Sequence, residues 1–208
     1  MWAIVMKEPR QACTAPKIVE ISQYDCCTMV RVHQTATRKS RCKPWHLAWR
    51  DGLRSGAIAS LTSTVALAWC GRCESGSAAA PTNATSHWLW GGHAMREDDM
   101  SARYTMVGYA IHHASATFWA VIHERLFGTL ADRRELAPAV AGAAAVSGLA
   151  CLVDYTITPR RLRPGYEQRL SSSSLALVYG VFGAGLLLGA FAGPRAGNGV
   201  DTMSTSRC

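Results

Sequence analysis

From residue 55 onward, four long stretches without a charged residue follow one another along the chain. They cover residues 55–71, 104–123, 136–153 and 170–194. A helix that crosses a bilayer needs about 20 mostly apolar residues, within a range of about 17–25, and all four stretches have such a length. The outer stripe of a soluble bundle carries charges every few residues, whereas these stretches carry none. The pattern therefore predicts an all-α fold, namely a four-helix transmembrane bundle. The spans are expected at about 53–71, 104–123, 136–157 and 172–193.

The four stretches are not equally apolar, and the first is the weakest. It contains Ser60, Thr62, Ser63 and Thr64, so the main alternative drops this span and leaves three. Polar positions in a membrane helix are tolerated where neighbouring helices cover them and bond to them. A compact bundle is therefore expected if the first stretch spans.

Small residues recur at four-residue spacing on the last stretch, at Gly185, Gly189 and Gly193. In lipid, helices associate largely through close approach of their backbones at such residues. The glycines are therefore a candidate packing face, and they also form a candidate surface for a homo-oligomer.

A short aromatic segment lies between the first two spans. It begins near Thr82 or Asn83, is too short to cross a bilayer, and ends at the pair Gly91-Gly92. We interpret it as a short interfacial or re-entrant helix. Its candidate site residues are His87, Trp88, Trp90 and His93. The histidines are either ligands or proton carriers at the mouth of the bundle, or polar residues beside tryptophans that anchor the helix at the membrane interface.

Charge is concentrated near the start of the chain. Only 17% of the residues are charged, and of the net charge of +8, residues 1–54 carry +6. We predict a disordered basic segment over 1–44, a transmembrane domain over 45–194 and a disordered tail over 195–208. Basic flanks favour the cytoplasmic side, so the N-terminus is expected there. Because the basic excess is a flank and no recognition motif accompanies it, nucleic-acid binding is not expected.

The second span contains the ionisable residues most suited to chemistry. Ionisable side chains inside membrane helices are costly and usually face the bundle interior. In an up-down bundle, Asp154 near the end of the third span lies level with the start of the second. The sequence therefore predicts one buried polar cluster of Tyr109, His112, His113 and Asp154. The cluster is either a proton-linked site or a set of contacts that lock helix packing.

The loop before the fourth span contains four arginines: Arg160, Arg161, Arg163 and Arg169. They are candidates for contacts with anionic lipid headgroups, and the alternative is a solvated loop beside the membrane.

Several kinds of active site are excluded by their missing motifs. The chain has no His-Glu pair of a zinc protease, no repeated histidine box, no phosphate-binding glycine loop and no nucleophile elbow. The pair Cys70 and Cys73 has the spacing of a metal or redox motif but stands alone and closes an apolar stretch. We therefore name no catalytic residue, expect no cofactor, and leave a metal site undetermined.

Three segments read SHWLWG, GYAIHHASATFWA and DYTITPRRLRPGYE. In these segments the chain resembles small polytopic inner-membrane proteins of GC-rich bacteria, a family whose activity is not known. The resemblance implies a multi-pass protein of the bacterial inner membrane, with the lipid bilayer as its surroundings, and implies no activity. The sequence favours a non-enzymatic membrane protein. The alternative is a proton- or metal-linked transporter or redox protein that uses the His/Asp cluster.

Overall fold

The structure is a computed structural model that describes residues 42–193, and in these residues it is helical without a strand. The all-α fold class is thus confirmed. The α-helices are α1 Trp45–Ser75, α2 Ala80–Thr85, α3 His87–Trp90, α4 Val107–Asp132, α5 Leu136–Leu152 and α6 Ser172–Phe191. Residues 1–41 of the predicted disordered segment 1–44, and the predicted tail 195–208, lie outside the described residues.

Tighter and wider helical turns connect or extend the α-helices. The 3₁₀ turns are Gly91–Arg96, Arg160–Leu162 and Tyr166–Gln168, and the π turns are Ala102–Met106 and Val153–Ile157. Each π turn continues a long helix, since the first precedes α4 directly and the second follows α5. Because π turns add a residue to the helical repeat, they change which side chains face the bundle at that end.

The four long helices form an antiparallel bundle. Each overlaps one of the four uncharged stretches. Helix α1 starts before its predicted span and α4 ends after its own, because charged residues occupy those turns without ending the helix. Contacts between the ends fix the alternating direction. Lys43 before α1 donates its backbone N–H to Arg125 near the end of α4, and Arg134 donates to the carbonyl of Phe191 at the end of α6. We call this the Lys43 end.

Helix α1 lies between α4 and α6, while α5 packs against α4 and α6 on the other side. The contact of α1 with α6 uses the predicted glycine face. A Cβ atom at Gly185 would lie 2.6 Å from the Cα atom of Ala59, and one at Gly189 would collide with the backbone of Ser55. Both glycines therefore pack against α1 of the same chain. A homo-oligomer stays a prediction, and in this arrangement it would need another surface.

The long helices bury small and polar residues and expose large apolar ones. On α1, Ser55, Ser60 and Ser63 are completely buried, whereas Val65 and Trp69 are each 70% exposed. Exposed large apolar residues also occur on the other long helices: Phe118 on α4, Leu149 on α5 and Leu188 on α6. A soluble bundle has the opposite distribution, with apolar residues inside and charges outside.

Two segments of the described chain are long and apolar enough to cross a membrane. They are Leu136–Ile157, with a mean hydropathy of 2.0, and Ser172–Phe191, with a mean hydropathy of 1.9. They correspond to the third and fourth predicted spans. Helices α1 and α4 do not meet this measure, because each carries more polar and charged residues along its length.

At the end of the bundle opposite Lys43, residues 76–106 and 158–171 form a cap. The predicted interfacial segment differs in the structure, because it forms two helices, and every residue of α2 is buried. Backbone approaches explain this burial. Because Gly108 has no side chain, the carbonyl of Thr82 can lie against α4. Gly165 has a φ of 91°, and a Cβ atom built on it would lie only 2.7 Å from the carbonyl oxygen of Ala84.

Candidate functional site

A cavity of about 220 Å³ lies between the cap and the adjoining ends of α4, α5 and α6. Its walls combine large apolar side chains with a few polar ones. The lining residues are Ser63, Thr85, Trp88, Ile111, His112, Ser115, Ala116, Trp119, Ala150, Asp154, Thr158, Leu162, Pro164, Tyr166, Val178, Tyr179 and Phe182. Ser115 and Leu162 are exposed, so the edge of the cavity lies between α4 and the loop before α6. Concave sites with apolar walls and a few converging polar groups are the usual form of a ligand site.

A chain of hydrogen bonds connects three polar residues of this cavity. The hydroxyl of Tyr179 donates to Oδ2 of Asp154 at 2.6 Å, and the hydroxyl of Tyr166 donates to that of Tyr179 at 3.2 Å. The π turn Val153–Ile157 positions the carboxyl group. In the cap, burial raises the pKa of Tyr166 well above its ordinary value, with smaller contributions from Tyr155 and Asp154. The Tyr166 phenol is therefore neutral and acts as a donor.

The structure brings together two of the four residues of the predicted polar cluster. His112 and Asp154 line the same cavity, and Nε2 of His112 lies 2.9 Å from the hydroxyl oxygen of Ser63 on α1. Tyr109 and His113 are not among the lining residues, and their rings contact each other with centroids 5.7 Å apart. The hydrogen-bond partner of Asp154 is Tyr179, which the sequence analysis did not name.

The four candidate residues of the first loop lie in the cap, and His87 and Trp88 fasten it. Nδ1 and Nε2 of His87 lie 2.8 Å and 3.1 Å from the carbonyl oxygens of Ala84 and Arg161. The indole of Trp88 donates to the carbonyl of Arg163, and Trp88 also lines the cavity. These bonds tie the two parts of the cap together.

The other two residues of that segment lie farther out. The indole of Trp90 donates to the carbonyl of Arg103 at 3.1 Å, and the guanidinium of Arg103 stacks over its ring at 4.5 Å. His93 is exposed. The four residues therefore do not form one site.

The candidate headgroup arginines divide into two pairs. Arg163 donates to the carbonyl of Tyr155 at 2.8 Å, and Arg169 donates to the carbonyl of Met95 and forms an ion pair with Asp98. Arg160 and Arg161 are exposed. The first pair holds the cap in place, and only the second pair is free to meet headgroups.

A second cluster of charged residues, which the sequence analysis missed, lies at the Lys43 end. The ammonium of Lys43 contacts carboxylate oxygens of Asp51 and Glu124 at 3.0 Å each and of Asp132 at 3.1 Å. We call these four residues the Lys43 cluster. Lys43 is 3% exposed and Glu124 is completely buried. Gly128 provides the space, since a Cβ built on it would lie 2.9 Å from Cε of Lys43.

The charges of the Lys43 cluster stabilise one another. Burial alone would lower the pKa of Lys43, but the nearby carboxylates, Glu124 first, outweigh burial and raise it above the ordinary value. Burial alone would likewise raise the pKa of Asp51, and hydrogen bonds from Arg50 and Lys43 lower it instead. Both groups are therefore charged at neutral pH, and this cluster fixes the segment before α1 to the end of α4.

Sequence signals for the missed residues were present but weak. Glu124 follows an uncharged stretch directly and Asp51 precedes one, so both marked the ends of predicted spans. Nothing local connected them to Lys43, which is 81 residues from Glu124. Tyr179 was visible as the one tyrosine of the fourth stretch, and a tyrosine hydroxyl usually finds a partner when it is buried.

Among residues 42–193, no group of three or more His, Cys, Asp or Glu side chains is placed to hold a metal ion. Buried Cys70 and exposed Cys73 are free thiols. Comparisons with protein-family models, with curated proteins and with solved structures found no match.

Proposed function

We propose that this chain is a multi-pass membrane protein, without enzymatic activity, that binds a small ligand in the cavity under its cap. All four long helices cross the bilayer, the N-terminus is cytoplasmic, and the cap lies on the opposite side. The inner membrane is the location implied by the resemblance to small proteins of GC-rich bacteria. The observation that carries the proposal is the cavity in a bundle whose outer surface is apolar.

The distribution of residues on α1 supports four spans over two. Helix α1 has 31 residues and a length of about 46 Å at 1.5 Å per residue, more than the hydrocarbon core of about 30 Å. Its buried face is rich in serine and glycine, and its exposed face carries Leu61, Val65 and Trp69. This arrangement is stable in lipid, where the outer face needs apolar residues and the inner face needs small ones. In water it would expose a large apolar surface.

Aromatic and basic residues near both ends of the bundle support a bundle whose axis crosses the bilayer. At the Lys43 end Trp45 is 56% exposed, and the guanidinium of Arg125 lies 5.2 Å from its ring centroid. At the cap end Arg103 stacks over Trp90. Tryptophan and arginine side chains of this kind are enriched at the level of the headgroups.

Reporter fusions at three positions test the number of spans. We expect a reporter at the N-terminus and one after Arg134 to lie in the cytoplasm, and one after Arg96 to lie on the other side. If the N-terminal reporter and the one after Arg96 lie on the same side, α1 does not span. If the reporters after Arg96 and Arg134 lie on the same side, α4 does not span.

The cavity favours binding over conduction. Beyond it toward the Lys43 end, the bundle interior is filled by Ala59, Ala120 and Leu186, all with 0% exposure. No open path therefore continues from the cavity through the described bundle in this conformation. A transporter would need a second conformation in which these helices separate.

A pair of adjacent substitutions tests ligand binding. Ser115 lines the cavity edge, whereas Ala114 beside it is exposed and does not. We expect small ligands from a mixed panel to raise the melting temperature of the purified protein and of Ala114→Trp, but not of Ser115→Trp. Equal responses of the two variants would place binding elsewhere, and no response from the unmodified protein would contradict the proposal.

Proton-linked transport is the second candidate, and the chain of hydrogen bonds from Tyr166 through Tyr179 to Asp154 favours it. Its test is a pH change inside proteoliposomes on addition of a ligand that binds. A pH change that Asp154→Asn abolishes would favour transport, and its absence with intact binding would favour a binding protein.

A further inference from the structure

The walls of the cavity combine several aromatic side chains with one carboxyl group. Five aromatic residues line the cavity: Trp88, Trp119, Tyr166, Tyr179 and Phe182. They come from the cap, from α4 and from α6, so they stand on several sides of the space. Rings of this kind attract cations through the negative charge on their faces, and cages of them recognise ammonium ligands.

The charge of the lining residues also favours a cationic ligand. None of the lining residues is Lys, Arg or Glu, and Asp154 is the one acidic side chain among them. Tyr179 binds its Oδ2 atom, and Oδ1 accepts no hydrogen bond from the described residues. An anionic ligand would meet this carboxyl group without a lysine or arginine to compensate it, whereas a cation would be attracted to it.

The basic residues of the cap are oriented elsewhere. Arg163 and Arg169 are bonded within the cap, and His112 is the one basic side chain in the cavity wall, with Ser63 as its partner. The cavity thus differs from the surface of the cap, where exposed arginines give a positive charge. A cation must therefore be held by specific contacts in the cavity rather than by the general field of the cap.

The size of the cavity limits the ligand. A cavity of about 150 Å³ accommodates benzene, and drug-sized ligands occupy sites of about 300–1,000 Å³. The volume of about 220 Å³ lies between these values. It suits a compact molecule with a few methyl or methylene groups around one charged nitrogen.

We propose that the cavity binds a small organic ammonium ion, with Asp154 as its counter-ion and the surrounding aromatic residues as a cage. This inference rests on the proposed ligand-binding function and specifies the chemical class of the ligand. Asp154 supplies the charge, Trp88 from the cap and Trp119 from α4 supply aromatic surface, and Ser115 lies at the edge.

The test uses probes of equal size and different charge on the full-length protein in detergent. Choline is the cation, its carbon isostere without the nitrogen charge is the neutral probe, and pivalate is the anion. Binding is measured by isothermal titration and by tryptophan fluorescence. We expect choline to bind at least tenfold more tightly than the neutral isostere, and pivalate not to bind.

Two variants locate the site and one controls for charge. Asp154→Asn keeps the shape of the side chain and should weaken choline binding at least tenfold, and Trp119→Leu should weaken it severalfold. Glu135→Gln also removes a carboxylate, but this side chain is exposed at the other end of the bundle, so binding should be unchanged. The melting temperature of each variant without ligand shows that it is folded.

The outcomes separate this inference from the proposed function. Equal binding of choline and its neutral isostere, or a loss with Ser115→Trp but none with Asp154→Asn, would overturn the ammonium proposal and leave a ligand-binding cavity. Failure of all three probes to bind at millimolar concentrations would overturn the ammonium proposal, and failure of the mixed panel as well would overturn the proposed function.

Discussion

Replacement of Lys43 with methionine should be among the most destabilising single changes in this protein. The substitution keeps the apolar stem and removes the ammonium that contacts three carboxylates within 3.1 Å. Because Glu124 is completely buried and Lys43 almost so, Asp51 and Glu124 would be left close together without their common cation. Removing one partner of a buried ion pair costs about 3–5 kcal/mol. We expect a loss of that size in the free energy of unfolding.

The measurement is reversible unfolding in mixed micelles, followed by circular dichroism, for Lys43→Met, Glu124→Gln and the double variant. Glu124→Gln should cost less, about 1–3 kcal/mol, because Lys43 retains Asp51 and Asp132. The double variant should lose less than the sum of the two single variants, since each change removes part of the same interaction.

The control is Arg133→Met, which removes an exposed arginine that lies 3.9 Å from Glu135 at the same end of the bundle. Exposed ion pairs contribute about 0–1 kcal/mol. If Lys43→Met lowers the unfolding free energy no more than Arg133→Met does, the Lys43 cluster is not a buried ion cluster. Strict additivity in the double variant would show that Lys43 and Glu124 do not interact.

Three further predictions concern the same bundle. The pKa of Asp51 lies below its ordinary value of 3.8 and that of Lys43 above 10.5, so the stabilisation from these charges should hold between those values. The stabilisation should disappear as pH falls through the lowered pKa of Asp51 or rises through the raised pKa of Lys43. The free energy of unfolding measured against pH checks this, and Asp51→Asn should remove the loss of stability at acid pH. Gly189→Ala should cost about 1–3 kcal/mol through overpacking, whereas Gly180→Ala, with open space around it, should be neutral or stabilise by about 0.5–1 kcal/mol. Opposite ranks in thermal unfolding would contradict the contact of α1 with α6. Tyr179→Phe should lower stability by about 1–3 kcal/mol because a buried acceptor loses its donor, and an unchanged melting temperature would show that the hydrogen bond does not form.

The positions of the long helices could be predicted because the uncharged stretches are local in sequence. The limits of α1 and α4 could not, since charged residues at the Lys43 end continue both helices. Arg50 and Asp51 belong to the first two turns of α1. Asp51 is buried in the Lys43 cluster, and Arg50 is exposed beside it. An uncharged stretch marks the part of a helix that avoids charge, and not the full helix.

The candidate site, too, could be predicted only in part. Helical rise placed His112 and Asp154 at the same level, and both line the cavity. Rise gives the depth of a residue but not its direction around the helix axis or the identity of its neighbour. The π turn at Val153–Ile157 alters that direction, and the partner Tyr179 comes from α6, which the sequence could not place beside α5 in advance.

The polar inner face of α1 has a consequence for how the protein is made. The helix is the first of the bundle to leave the ribosome, and α4 and α6, which cover its inner face, follow later in the chain. Until they arrive, Ser55 and Ser63 can bond only to carbonyl groups one turn back on α1 itself, at 3.1 Å and 2.7 Å. Such bonds satisfy the hydroxyls before α4 and α6 are synthesised. On the proposed four-span topology, α1 is thus the helix least able to remain alone in lipid, and its stable insertion depends on the synthesis of α4 and α6.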